Sequence, residues 1–503
     1  MNYWKIGLAV LVASVVQVAS AAEYTDRLIV KLRAPTVSAQ MHSIMSASQE
    51  STLRNIAGIQ LSRVRVMSDG GQVMQLPQAM TVAEAQVVAS KLQSDPSVEY
   101  AEPDQIRRPM LTPTDPSFGV QWNLNSSYGI NAPAAWNTTT GSASIVVAVL
   151  DTGMAAHAEL SGRSVAGYDF ISNVFVANDG DVRDADPSDP GDWVAAGEVN
   201  TPPCTGGVAE NSSWHGTAIA GAIGAIANNG VGIAGINWAS KILPVRVMGK
   251  CGGYVSDIVD GMRWAAGLTV HGVPANANPA KVLNLSLGSS GTCSAAEQSA
   301  IDEIVALNKV VVVAAGNDSS IVSAPANCSG VIAVAATTQL GSLTSISNSG
   351  GLVAISAPGG ESNYGIYLLS NTGTTVPVSD SYGGYYGTSI SAAEVSGVVS
   401  LMFSVNSQLS PAQVKSILQS TATAFPNNST CTTSICGAGI VNAASAVSLA
   451  STTSGVPVSP ASSGGGGGGG GCALSLAATF DPLLACLAAV ALAGLCWRRI
   501  RRQ

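Results

Sequence analysis

Five short apolar runs, SIVVAVLD, KILPVRV, KVLNLSLG, KVVVVAAGN and GVIAVAAT, recur between residues 144 and 337 without the polar alternation of a half-exposed strand. A strand that is apolar on both sides must be covered on both faces. The runs therefore predict an α/β fold over residues 111–450, a parallel sheet flanked by helices. In such sheets chemistry gathers at the carboxyl ends of the strands, where Asp151, Gly288 and Asn317 fall. A chain of 503 residues, 46% hydrophobic with 54 glycines, can bury a core of that size. Its net charge of −8, with no basic stripe before the last few residues, argues against a nucleic-acid partner.

The flanks differ in texture. Residues 1–22 carry a lysine, an apolar stretch from Ile6 to Val18 and small residues at Ala19 and Ala21. That is the layout of a secretory signal peptide, with a membrane anchor as the rival reading. Between 23 and 110, RLIVKLR, SRVRVM, QVMQL and SVEYAEPD read as strands, and Thr81 with Glu84 forms a capping box for a helix over TVAEAQVVASKLQ. Two helices on one antiparallel sheet is the economical packing, a small α+β ferredoxin-like domain. Residues 451–471, rich in serine and glycine, read as a flexible linker. In the tail, 472–503, a short apolar stretch precedes RRIRR, which favours a cytoplasmic C-terminus and a folded domain outside the inner membrane.

Acyl transfer needs a nucleophile, a base, a group that orients the base, and donors for the oxyanion. Asp151 ends a buried run in VAVLDTG, His215 sits where a loop enters the small-residue helix of SSWHGTAIAG, and Asn317 follows the valines of VVVVAAGN. Ser389 lies in GTSISAAEVSG, before an apolar helix, where a serine is ordinarily a cap. Taken singly, these are a turn aspartate, a structural histidine, a turn asparagine and a helix cap. Taken in order, each stands at an element boundary beside glycine or threonine.

The stretches VAVLDTG, HGTAIAG, LNLSLG, AAGN and GTSISAAEVSG together resemble the subtilisin-like serine protease (subtilase) family, whose triad runs Asp, His, Ser. An esterase on another α/β fold would have a GxSxG elbow with serine before histidine. The resemblance implies a secreted serine endopeptidase acting on proteins or peptides: Ser389 as nucleophile, His215 as base, Asp151 as its orienter and Asn317 in the oxyanion hole. Ser286, Leu287 and Gly288 would form the edge on which a substrate backbone lies. A non-catalytic, peptide-binding relative is the alternative, and loss of a triad member would favour it; none is lost. The chain departs from the family at Ala393 and Glu394, where proline and histidine are usual, and at Ala218, where a second histidine is common.

By the same resemblance, residues 23–110 are a propeptide that inhibits the enzyme intramolecularly and is removed by it. The disulfides are then Cys204 with Cys251, Cys293 with Cys328, and Cys431 with Cys436; nearness in sequence alone suggests only the last. Glu159 and Asn229 match a family calcium site. Six aspartates from Asp179 to Asp192 read either as a solvated loop or as further ligands for structural calcium. The glycine run, apolar stretch and arginines resemble bacterial sorting tails of the GlyGly-CTERM kind. Such a tail implies passing inner-membrane anchoring, cleavage by a sorting protease, and a secreted or cell-surface product; Cys472 and FDP mark a variant.

Overall fold

The computed structural model describes residues 24–33, 45–106 and 111–455. The stretch read as a signal peptide, residues 107–110, the linker beyond residue 455 and the tail with Cys472 lie outside the described residues.

The N-terminal module runs β1 (Tyr24–Leu32), α1 (Ala47–Ala57), β2 (Ser62–Val66), β3 (Gln72–Thr81), α2 (Val82–Gln93) and β4 (Val98–Pro103). Its strands lie in the order β2-β3-β1-β4, and every pairing is antiparallel. This is the split βαβ pattern of a ferredoxin-like domain. One face supplies Leu28, Val30, Met74 and Leu76, and the helices answer with Leu53, Ala85, Ala89 and Leu92. The capping box is present, with Thr81 Oγ1 accepting from the Glu84 N–H and the Glu84 carboxylate accepting from the Thr81 N–H. β2 is the exposed edge and carries Arg63 and Arg65, charges that discourage further strand addition.

The large domain continues with α3 (Trp122–Asn125), α4 (Ala132–Trp136), β5 (Val146–Asp151), β6 (Tyr168–Asp169), α5 (Val174–Ala177), α6 (His215–Gly224), β7 (Lys241–Arg246), α7 (Val255–Ala265) and β8 (Val282–Leu285). Then come α8 (Ala295–Ala306), β9 (Val310–Ala314), β10 (Ile332–Thr337), β11 (Ile355–Pro358), β12 (Ile366–Asn371), β13 (Asp380–Tyr385), α9 (Thr388–Val405), α10 (Pro411–Ser420) and α11 (Ala443–Thr452). Seven strands form a parallel sheet in the order β11-β10-β9-β8-β5-β7-β6.

The apolar runs have two buried sides, as their composition requires. Val147 and Val149 of β5 join the cluster that holds α6, α9 and α11, while Ala148 and Leu150 join the one beneath α7 and α8. β5 is thus central and covered above and below, and its carboxyl end with Asp151 opens at the crest of the sheet. The helix α9 is long and apolar enough to cross a membrane, but it is packed inside this core. The helix α11 runs to Thr452, two residues into the stretch that its composition assigns to linker.

Candidate active site

Asp151 is fully buried at the end of β5, and its Oδ1 receives the Thr152 N–H at 2.8 Å. The same oxygen lies 2.7 Å from His215 Nδ1, and because a carboxylate only accepts, Nδ1 carries the donated proton. His215 opens α6 immediately after Trp214, whose φ of +52° is left-handed and costs about 1–3 kcal/mol for a residue of that size. Burial of the Trp214 indole, which donates to the Gly373 carbonyl at 2.8 Å, holds that corner. Gly216 has to be glycine, because a Cβ there would stand 2.0 Å from the Gly153 carbonyl oxygen.

Thr152 ties this half together. Its Oγ1 accepts the Gly216 N–H at 3.0 Å and donates to Asp189 Oδ2 at 2.7 Å, so one hydroxyl binds the start of α6 to the end of β5. Burial pushes Asp189 up to about 7 against the hydrogen bond from Thr152. Behind Thr152, the buried Arg246 donates to its carbonyl at 3.2 Å and pairs with Asp169 and Asp179. For His215, burial disfavours the imidazolium, but the charges of Asp151, Asp192 and Asp189 outweigh it. The histidine is raised above its ordinary value.

The other half is built at the start of α9. Gly387, with φ +135°, is the N-cap, and Ser389 lies inside the first turn, so it is not a cap. Thr388 donates from both N–H and Oγ1 to Asn317 Oδ1, each at 2.9 Å. That fixes the Asn317 amide and leaves its Nδ2 free among the described residues. Ser389 Oγ donates to the Ser286 carbonyl at 3.1 Å, and Ser286 Oγ donates back to the Ser389 carbonyl at 2.8 Å. Behind them, Ser396 Oγ donates to Asn284 Oδ1, and Asn284 Nδ2 to Ser286 Oγ, at 2.8 and 2.9 Å.

An open cleft of about 550 Å³ is lined by Thr152 and His215 of the first half, Ser286 of the second, Met248 and the half-cystines Cys204 and Cys251. Past β8, Ser286 and Leu287 are buried whereas Gly288 is exposed, ahead of the bridge between Ser289 and Ala324. Three disulfides are present: Cys204–Cys251, Cys293–Cys328 and Cys431–Cys436. The first ties the long loop between Asp151 and His215 to the segment after β7.

Five of the six aspartates from Asp179 to Asp192 are engaged by the protein itself. Asp179 pairs with Arg246, and Asp184, Asp186, Asp189 and Asp192 accept from N–H groups of their own or neighbouring loops. Among the described residues, the one tight group of three histidine, cysteine or carboxylate side chains is Cys293, Glu297 and Cys328, whose sulfurs are already joined. Glu159 is different. Burial pushes it up to about 7, its Oε1 accepts from Tyr382 Oη at 2.6 Å, and its buried Oε2 has no partner. An orphaned carboxylate oxygen suits a cation ligand, whereas Asn229 Oδ1 already accepts the Val231 N–H at 2.9 Å. Of the remaining histidines, His157 is buried against Ser381 and the Glu159 N–H, and His271 is exposed.

Several residues of the site escape a reading of motifs. Thr152 and Thr388 adjoin Asp151 and Ser389 in the sequence, and that adjacency is the signal for them. Nothing local marks Asp189 or Arg246, which reach the site through the fold. Ala393 is buried, and Glu394 is wholly enclosed with a single hydrogen-bond partner rather than facing solvent.

The subtilase family profile matches residues 142–439. An extracellular protease of Xanthomonas campestris is 45% identical over 418 residues, 82% of this chain and 70% of that protein. An extracellular basic protease of Dichelobacter nodosus is 39% identical over 410 residues, 80% and 67% of the two chains. A solved protease structure from Pseudoalteromonas arctica, 48% identical, covers 68% of this chain and all of its own at a TM-score of 0.65. With the parallel sheet, the order of its motifs and these matches in agreement, the chain belongs to the subtilase family.

Proposed function

We propose that the chain is a secreted serine endopeptidase that hydrolyses proteins through an acyl-enzyme and is made as a self-processing zymogen. The observation that carries this reading is the 2.7 Å contact between His215 and Asp151 in a cleft whose wall, Ser286, also holds Ser389 Oγ. His215 Nε2 takes the Ser389 proton as Oγ forms a bond to the scissile carbonyl carbon. The carbonyl electron pair moves to oxygen, where Asn317 Nδ2 and the Ser389 N–H receive it. The tetrahedral centre then collapses, the C–N bond breaks, and His215 delivers its proton to the leaving amine. Water repeats the sequence to release the acid. Asp151 keeps the imidazole in the tautomer that leaves Nε2 free and stabilises the imidazolium. The Ser286 carbonyl is taken by Ser389 Oγ, but past it the chain reaches the surface at Gly288, and a peptide adding as a strand along Ser286–Gly288 would be read by main chain more than by side chains.

The module up to residue 110 acts as propeptide in this reading, and 111–450 as the catalytic domain. Residues 1–22 are the signal peptide, 451–471 the linker, and 472–503 a sorting tail that anchors the enzyme at the inner membrane until a sorting protease removes it. A structural calcium would be held by Glu159, with Asn229 as the second ligand the family resemblance implies, and would supply charge compensation rather than chemistry. Fluorophosphonate labelling of the mature enzyme tests the central claim: label on Ser389, and its loss with casein digestion in Ser389→Ala, are expected. No label on Ser389 sinks it. A chain lacking residues 23–108 should be inactive and poorly folded; full activity refutes the propeptide role. Mass analysis of the secreted C-terminus tests the tail, and thermal unfolding with chelator tests the calcium.

A further inference from the structure

Glu394 stands one and a half turns beyond Ser389 on α9 and is fully buried. Its Oε1 accepts from Asn123 Nδ2, on α3, at 2.7 Å. Two polar atoms are left over at this contact, and there is one on each group. Glu394 Oε2 and Asn123 Oδ1 are both buried, and neither has a hydrogen-bond partner when the carboxyl is ionised, because two acceptors cannot bond each other. A proton on Oε2 would turn that oxygen into a donor for the other.

The elements packed on α9 offer no counter-charge. The elements packed most closely on α9 are α6, α11 and strands β5 and β8 to β11. Of these, only α6 and β5 carry titratable side chains, His215 and Asp151, and those are bonded to each other. Among the described residues no cation faces Glu394, and only burial and the Asn123 hydrogen bond act on it, burial raising it well above the ordinary carboxylic range. An unpaired buried charge is among the costliest things a core can hold, and the group neutralises instead.

We propose that Glu394 is carried as the neutral acid, paired with the Asn123 amide in a two-bond ring, Asn123 Nδ2–H to Oε1 and Oε2–H to Asn123 Oδ1, and that this ring positions the helix bearing Ser389. The ring joins α9 to α3 from within the same helix that presents the nucleophile. Glu394 touches no substrate; it is a positioning residue. Its role toward catalysis rests on Ser389 being the nucleophile, whereas its protonation state does not.

The linkage has a definite sign. The unfolded carboxyl ionises at about pH 4.3, while the folded one keeps its proton to much higher pH. Between those limits unfolding releases a proton, so stability falls as pH rises. Glu394→Gln keeps the shape, and its amide N–H replaces the acid O–H. The test is infrared difference spectroscopy and thermal unfolding of the full chain in a Ser389→Ala background, which prevents self-digestion. Protein that retains Glu394 is compared with protein carrying Glu394→Gln from pH 5 to 9. The expected result is a protonated-carboxyl C=O band at pH 7 that Glu394→Gln removes, and a Tm that declines less with pH in that variant.

A carboxylate band at pH 7, or the same pH decline in both proteins, overturns the neutral acid. For positioning, the active enzyme is compared as wild type, Glu394→Ala and Glu394→Gln. A kcat lowered at least five-fold by Ala with KM unchanged, and restored to within two-fold by Gln, is expected. An Ala variant that folds and keeps full kcat overturns the positioning role, and an Ala variant that does not fold leaves the decision to Gln, whose failure to reach within two-fold overturns it. If fluorophosphonate fails to label Ser389, the functional reading fails by itself while the spectroscopic outcome stands.

Discussion

Asp151 and Glu394 are both carboxyl groups with no exposed surface, each with one oxygen bonded and one orphaned, yet the fold treats them oppositely. Asp151 sits at the crest of the sheet with two donors on one oxygen, the Thr152 N–H and His215 Nδ1–H, and a half-buried imidazole that can take up charge. Glu394 lies inside α9 with one neutral amide. Burial by itself therefore does not decide what a carboxyl does. The number and charge of the donors facing it matter as much, and of the two only Asp151 faces an imidazole, where the proposed mechanism needs a carboxylate.

The contrast can be tested at the Asp151 end with the largest effect. Asp151→Asn keeps the shape but removes the charge and the tautomer control, and kcat on a peptide substrate should fall on the order of 10⁴-fold. The acid limb of the wild-type kcat/KM profile should lie above pH 6.5, because the neutral imidazole is the base in the proposed mechanism and the nearby carboxylates favour its protonated form. In Asp151→Asn the residual limb should move to lower pH; an unmoved limb would show that Asp151 does not set it. Asn317→Ala comes next, with a loss of about 10²- to 10³-fold in kcat and little change in KM, a magnitude known for this kind of donor in a subtilisin.

Thr152→Val is smaller and falls mainly on stability. It strips Asp189 of its hydroxyl donor and the Gly216 N–H of its acceptor, and should cost about 1–3 kcal/mol in thermal or denaturant unfolding. Glu394→Gln has the smallest effect on activity and separates the two carboxyls most clearly. It should remove a stability slope that for one proton cannot exceed about 1.4 kcal/mol per pH unit. Were Glu394 ionised at neutral pH, the two proteins would instead decline alike as pH rises.

How legible each residue is depends on how local its cause is. The doubly apolar runs specify a covered parallel sheet because no other packing hides both sides of a strand, and the alternation of Val147 and Val149 against Ala148 and Leu150 bears this out. The Thr81 and Glu84 cap is local in the same sense, being a contact across three residues. Gly216 and Gly387 are explained by backbone approaches to Gly153 and Asn317 that no spacing rule contains. Glu394, as a charged residue on an apolar helix, calls for either a polar contact or solvent; the structure supplies the contact, Asn123, a choice helical spacing cannot make because it does not show that α9 is enclosed on every side.

Periodicity and turn chemistry act over a few residues, and they were enough to specify the sheet, its two coats of helices, the small antiparallel module and the order of the candidate catalytic residues. Which of those residues meet is a matter of the folded chain. His215 reaches Asp151 across 64 positions, and Ser389 reaches Ser286 across 103. The folded chain likewise settles which carboxyl finds donors and which finds a single amide, because burial and hydrogen bonding are properties of what surrounds a side chain in space.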